Sequence, residues 1–357
     1  MHIPNGRPVW TLLFKGRIWR IVAFYIGVVA ITAFLLIRLD KLVNAVGSIE
    51  YAGHSMTVLA LGALAYTLGL QHALEADHIA AIDNSVRKLV QEGKNADFAG
   101  LFFALGHATV VILVTIALMF SAQVVELLIP RLEDIGSLVG LVISSGFLYI
   151  IGLLNLLVFF ETYRIFKRMK KDELDRERLN ELLFKRGFVG RYFGGLFKIV
   201  DRQYYLYPIG FLFGLGFETA SQTALLTLSV IISATIKIAF QELLIFPLLF
   251  TIGMVLVDTT NSLFMSSAYG WALSDPLRKL WYNLTTTIIS VIIAWAIGTL
   301  EILALIQDKF NLSGPIWDWI AITNEVWWSN IGIIIIAIFA IIWIISFIIY
   351  KFKIKRI

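Results

Sequence analysis

Apolar runs long enough to cross a lipid bilayer recur along this chain, and in lipid only helices and closed barrels satisfy their own backbone. A spanning helix needs about 20 largely apolar residues. Eight runs reach that length, at roughly 18–39, 56–85, 98–121, 136–160, 205–233, 240–268, 280–305 and 330–350. The 357 residues are 59% hydrophobic with a mean hydropathy of +0.81, far above a soluble domain. The expected fold is all-α: a polytopic integral membrane protein of about eight transmembrane helices, forming one domain over residues 1–357.

Charge orients those helices. The longest charged segment, the basic loop 161–204, lies between the fourth and fifth runs and carries Arg164, Lys167, Arg168, Lys170, Lys171 and further basic residues up to Arg202. The N-terminal flank (Arg7, Lys15, Arg17, Arg20) and the tail (Lys351, Lys353, Lys355, Arg356) are also basic. With eight spans all three fall on one side, which the positive-inside rule makes the cytoplasm. Both termini are then cytoplasmic and the membrane is the cell membrane. The net charge of +5 is absorbed by these loops, and no aromatic–basic pattern points to nucleic acid. The segment 306–329, with Trp317, Trp319, Trp327 and Trp328, reads as an outer interfacial belt. The start of the chain lacks the apolar core of a signal peptide and is expected to be retained.

The stretch Gln71–Asn84 (QHALEADHIAAIDN) breaks the apolar pattern of the second run with His72, Glu75, Asp77, His78 and Asp83. Imidazoles and carboxylates at membrane depth are expensive and mark a functional site. At about 100° per residue, with His72 at zero, Asp83 falls near 20°, Glu75 near 300°, Gln71 near 260° and His78 near 240°. Asp77 points about 100° away from His78 on the same helical wheel. A straight helix therefore cannot aim His72, Asp77 and His78 at one small ion. Either Asp77 orients a histidine or meets another helix, or the helix is broken here, as ion-binding helices of transporters often are.

Other spans add polar groups: His107 in the third, Asn155 in the fourth, Glu218 and Gln222 in the fifth, Asp258, Thr259 and Asn261 in the sixth. A faint internal repeat relates Gly69-Leu70 with Glu75 to Gly214-Leu215 with Glu218. It also relates Phe103–His107 to Phe250–Met254. Helices 2–4 and 5–7 would then be inverted-topology repeats.

Imidazole nitrogen combined with carboxylate oxygen suits divalent first-row metals such as nickel, cobalt, zinc or manganese. Calcium and magnesium prefer all-oxygen sets. With no cysteine in the chain, disulfides, thiolate metal sites and thiol catalysis are excluded. At the N-terminus, a free amine, the next amide nitrogen and the His2 imidazole would make a square-planar chelate of a kind nickel(II) accepts.

On these residues the chain resembles the nickel/cobalt permease family of eight-span secondary transporters. The family's span-two His-x4-Asp-His pattern appears as His72–His78, and its span-three Leu-Gly-His motif as Leu105-Gly106-His107. Its span-five motif appears as Leu215-Gly216-Phe217-Glu218-Thr219-Ala220, and its span-six motif as Gly253-Met254 followed by Asp258-Thr259. The chain departs from the family in having Gln71 where a basic residue is usual. It has Glu75 and Glu218 where Asp is usual, and Gln222 and Asn261 where acids are usual. The opening MHIPNG is similar to the start of the membrane subunit of energy-coupling-factor nickel and cobalt importers, in which that start contributes to metal binding.

The resemblance implies a secondary permease, not an enzyme, that imports Ni2+ and/or Co2+ as transported substrate, with no resident cofactor. Its expected partners are the divalent transition-metal ion and the lipid bilayer. The expected metal residues are His72, Asp77 and His78 as the core, with Glu75 and His107 as ligands or orienters. Glu218 and Asp258 face them from the second half, and His2 is a further candidate. Two alternatives remain at this point: an exporter using the same site, and a membrane acyltransferase using His72-x4-Asp77 as base and orienter.

Overall fold

The computed structural model describes residues 9–120, 122–169, 198–216, 220–235, 240–272, 276–325 and 327–349. Of the expected site residues, His2 and Glu218 lie outside these. So do residues 170–197, most of the basic loop.

The apolar runs are helices. In chain order they are α1 Val9–Val46, α2 Val58–His72, α3 Ala76–Gln91, α4 Ala99–Phe120, α5 Ala122–Met169, α6 Leu206–Phe213 and α7 Ala220–Thr235. There follow α8 Phe240–Leu243, α9 Ile245–Ala272, α10 Pro276–Phe310, α11 Pro315–Glu325 and α12 Trp328–Ile349. Six described segments are long and apolar enough to cross a membrane: Gly16–Val43, Ala99–Leu118, Leu138–Arg164, Phe240–Trp271, Leu284–Phe310 and Trp328–Ile345. The expected second and fifth spans are instead split in mid-course, into α2 and α3 and into α6 and α7.

The first break is local and legible. Leu74 N–H donates to Gln71 O and Glu75 N–H to His72 O, each at 3.0 Å, so the last turn of α2 tightens to three-residue spacing. Glu75 then adopts an extended backbone (φ −65°, ψ 148°) and starts α3 as its N-cap. The chain therefore does not run on as one rod from Met56 to Ser85.

Two close crossings hold the broken spans. Gly69 of α2 abuts the Phe250 carbonyl of α9, and Gly253 of α9 abuts the Tyr66 carbonyl of α2. In the same way Gly210 of α6 abuts the Phe103 carbonyl of α4, and Gly106 of α4 abuts the Tyr207 carbonyl of α6. None of the four positions has room for a β-carbon, which lets the backbones approach as small residues do in membrane helix pairs. Each crossing thus sets Tyr-x2-Gly against Phe-x2-Gly. Phe103 and Gly106 correspond to Phe250 and Gly253, as the sequence repeat has it. Gly210 meets the Phe103 carbonyl as Gly69 meets that of Phe250, while Gly214, one turn on, lies against the His107 carbonyl.

Polar ties fix the ends of the bundle. The guanidinium of Arg17 holds the Asp97 carboxylate at 2.8 and 2.9 Å, joining α1 to the α3–α4 turn. Asp83 is fully buried. It accepts hydrogen bonds from Tyr269 and from Ser290 at 2.7 Å, and Arg87 lies 3.8 Å away. Between α1 and α2 a short antiparallel hairpin, β1 Ser48–Tyr51 and β2 His54–Thr57, pairs Tyr51 with His54. Tyr51 donates its hydroxyl to the Ala224 carbonyl of α7. The expected tryptophan belt is in part helix α11, with Ile316, Trp319 and Ile322 exposed on one side. Trp328 instead turns inward and is buried.

Candidate metal site

The break between α2 and α3 brings His72, the last residue of α2, and His78, in the first turn of α3, to the same point. His107 of α4 meets them there. The three rings are nearly equidistant, with centroids 4.7, 4.7 and 4.8 Å apart. One nitrogen from each lies within 4.8 Å of the others. All three side chains are buried, under the aromatic rings of Phe103 and Phe250.

Hydrogen bonds select which nitrogen faces the centre. Ser221 of α7 donates to Glu75 Oε1 at 2.6 Å, so its oxygen is left to accept from His72 Nδ1 at 3.0 Å. Glu75 Oε2 lies 2.9 Å from the same Nδ1. The His72 proton is thereby held on Nδ1, and the lone pair is on Nε2. His78 Nδ1 lies 3.3 Å from Asp258 Oδ2 of α9, and its buried Nε2 has no protein partner. His72 Nε2 and His107 Nε2 are 2.9 Å apart.

The carboxylates divide by role. Glu75 and Asp258 stand behind histidines, in the position from which acids set the orientation and basicity of metal-bound imidazoles. Asp77 lies near enough for its charge to act on His78 and Asp258, but its hydrogen bond goes elsewhere. It occupies the second position of α3 and accepts from Trp328 Nε1 at 3.3 Å. This geometry also leaves no His72–Asp77 pair of the kind an acyltransferase needs, because His72 is turned by Glu75 and Ser221. In the sequence Ser221 carries no signal beyond its place one residue before Gln222. The Gln222 side chain reaches His107, and among the described residues the buried side chains of Thr259 and Asn261 have no hydrogen-bond partner, which is unusual for interior polar groups.

The family model described as "High-affinity nickel-transport protein" (NicO) matches residues 58–349. The chain is 42% identical to the nickel transporter NixA of Staphylococcus aureus over 292 residues, covering 82% of this chain and 85% of that one. It is 41% identical to the high-affinity nickel-transport protein NixA of Helicobacter pylori strain J99 over 310 residues, 86% of this chain and 92% of that one. To the cobalt transport protein NhlF of Rhodococcus rhodochrous it is 34% identical over 287 residues, 78% and 82% of the two chains. No solved structure matches. A family match running from α2 through α12, with relatives 41% and 42% identical over most of their length, shows that the chain belongs to the NicO family of high-affinity nickel-transport proteins.

Proposed function

We propose that this chain is a secondary permease that imports Ni2+ and/or Co2+ across the cytoplasmic membrane. The observation that carries the proposal is the cluster of His72, His78 and His107, buried together where α2 gives way to α3. Imidazole donors favour first-row transition ions over the hard cations magnesium and calcium. Relatives named for nickel and for cobalt transport support the same ion class.

In this reading the three histidines bind the ion, and Glu75, Asp258 and Ser221 turn them. The buried polar groups of Gln222, Thr259 and Asn261 flank its path. Glu218 keeps the role the family resemblance gives it and His2 the one suggested by the opening MHIPNG; both lie outside the described residues. Each broken pair counts as one crossing, so six long helices and two split ones make eight spans in a single domain. Both termini and the basic loop 161–204 then face the cytoplasm. The matched glycine crossings support an inverted relation between spans 2–4 and 5–7.

The test is uptake of radioactive nickel by cells expressing the chain, with unlabelled cobalt, zinc, manganese and magnesium as competitors. Strong competition by cobalt, and loss of uptake in His78→Ala at equal protein abundance, are expected. Uptake equal to that of empty cells, or metal tolerance in place of uptake, would refute import. Full uptake by His78→Ala would refute the site.

A further inference from the structure

We propose that Trp328, at the start of α12, is a positioning residue for the metal site and acts through Asp77. The inference rests on the permease reading, and it gives the acid of the His-x4-Asp-His pattern a role other than ligand.

A helix that starts in a protein interior needs its first N–H groups satisfied, normally by a Ser, Thr, Asp or Asn cap. The N-cap of α3 is Glu75, and its side chain makes no cap hydrogen bond. Its carboxylate is committed to Ser221 and His72. The first turn of α3 has one other acid, Asp77, placed where a negative charge favours a helix start. What fixes Asp77 is the indole N–H of Trp328, 3.3 Å from Oδ1.

A second contact comes from the same face of α12. Gly332, one turn after Trp328, lies against the Leu74 carbonyl so closely that a β-carbon would not fit. Residues four apart share a helix face. One face of α12 therefore touches the chain just before Glu75, the residue at which the helix breaks, and two residues after it. His78 follows Asp77 directly, so a change in the pitch of this turn swings the His78 ring away from Asp258 and from the other two imidazoles. Trp328 is itself 7% exposed and packed in the core, so its ring is held firmly enough to act as a fixed donor.

The experiment uses the full-length chain purified in detergent, titrated with nickel by calorimetry, alongside uptake normalised to protein abundance. Trp328→Phe keeps the ring and removes the donor. Asp77→Asn keeps an acceptor oxygen of the same reach, and Asp77→Ala removes it. Groups standing behind metal ligands typically contribute 10–100-fold to affinity. Trp328→Phe and Asp77→Ala are each expected to weaken nickel binding about tenfold or more, with a raised KM at unchanged abundance. Their combination should be no worse than Asp77→Ala alone. Asp77→Asn should retain most of the affinity. Gly332→Ala, which leaves both side chains in place, should weaken binding too.

Normal binding by Trp328→Phe would overturn the inference. So would abolished binding in Asp77→Asn, which would make Asp77 a ligand. Failure of the permease reading looks different: His78→Ala would then bind nickel as tightly as the parent chain, whatever Trp328 does.

Discussion

Two ion pairs in this protein have similar composition and very different surroundings, and they make a quantitative test. Asp83 and Arg87 are buried, with side chains 0% and 1% exposed. Arg87 donates to Thr286 at 2.7 Å and to the Tyr269 hydroxyl. Its guanidinium also sits 4.2 Å from the centre of the Tyr269 ring. Glu242 and Arg38 pair across α8 and α1, but the Arg38 side chain is 43% exposed. Removing one partner of a buried pair costs about 3–5 kcal/mol, because the remaining charge is stranded. A solvent-screened pair contributes about 0–1 kcal/mol.

Asp83→Leu should therefore lower stability several-fold more than Glu242→Leu. The double variant Asp83→Leu with Arg87→Leu should recover much of the loss, since no buried charge remains. The assay is thermal unfolding of fluorescent fusions in detergent, followed by size-exclusion profile. Equal melting shifts for Asp83→Leu and Glu242→Leu would refute the reasoning. So would a double variant worse than Asp83→Leu, and either result would locate the stability of this bundle elsewhere.

Two further outcomes follow from the site and the crossings. Ser221→Ala removes the hydroxyl between Glu75 and His72 without touching a ligand, and should weaken nickel binding about 10–100-fold, read by calorimetry against Ser221→Thr, which should keep it. Gly106→Val and Gly253→Val, each facing a carbonyl of the partner helix, should abolish correctly folded protein or uptake, scored by abundance and radiolabel. Gly270→Val, with open space around it, should be tolerated.

Much of the architecture was legible because lipid leaves few choices. Long apolar runs had to be helices, and the wheel placed His72, Asp77 and His78 so badly for one ion that a break was already a live expectation. Which side of the break each residue would take was not legible. Glu75 and Asp77 have the same charge and lie two residues apart, yet one backs a histidine and the other meets Trp328. That outcome depends on α7 and α12, more than 140 residues away in sequence. His107 carried only the signal of a lone imidazole in an apolar helix, and its role appears once α4 crosses α6. The repeat was visible through Phe103–Gly106 and Phe250–Gly253, but its register was not. Several glycines stand near the fifth span's start, and packing alone distinguishes Gly210, which meets Phe103 as Gly69 meets Phe250, from Gly214, which meets His107.

That register has a consequence. Three residues after Gly69 stands His72, and three after Gly210 stands Phe213. His107 follows Gly106, and Met254 follows Gly253. One half of the molecule thus supplies the three imidazoles and Glu75, while the other supplies Ser221 and Asp258, which help hold the His72 and His78 rings. An imidazole deprived of its Nδ1 partner can flip and offer the wrong nitrogen. Grip on the ion is then a joint possession: a slight parting of the halves loosens it without any ligand leaving its own helix.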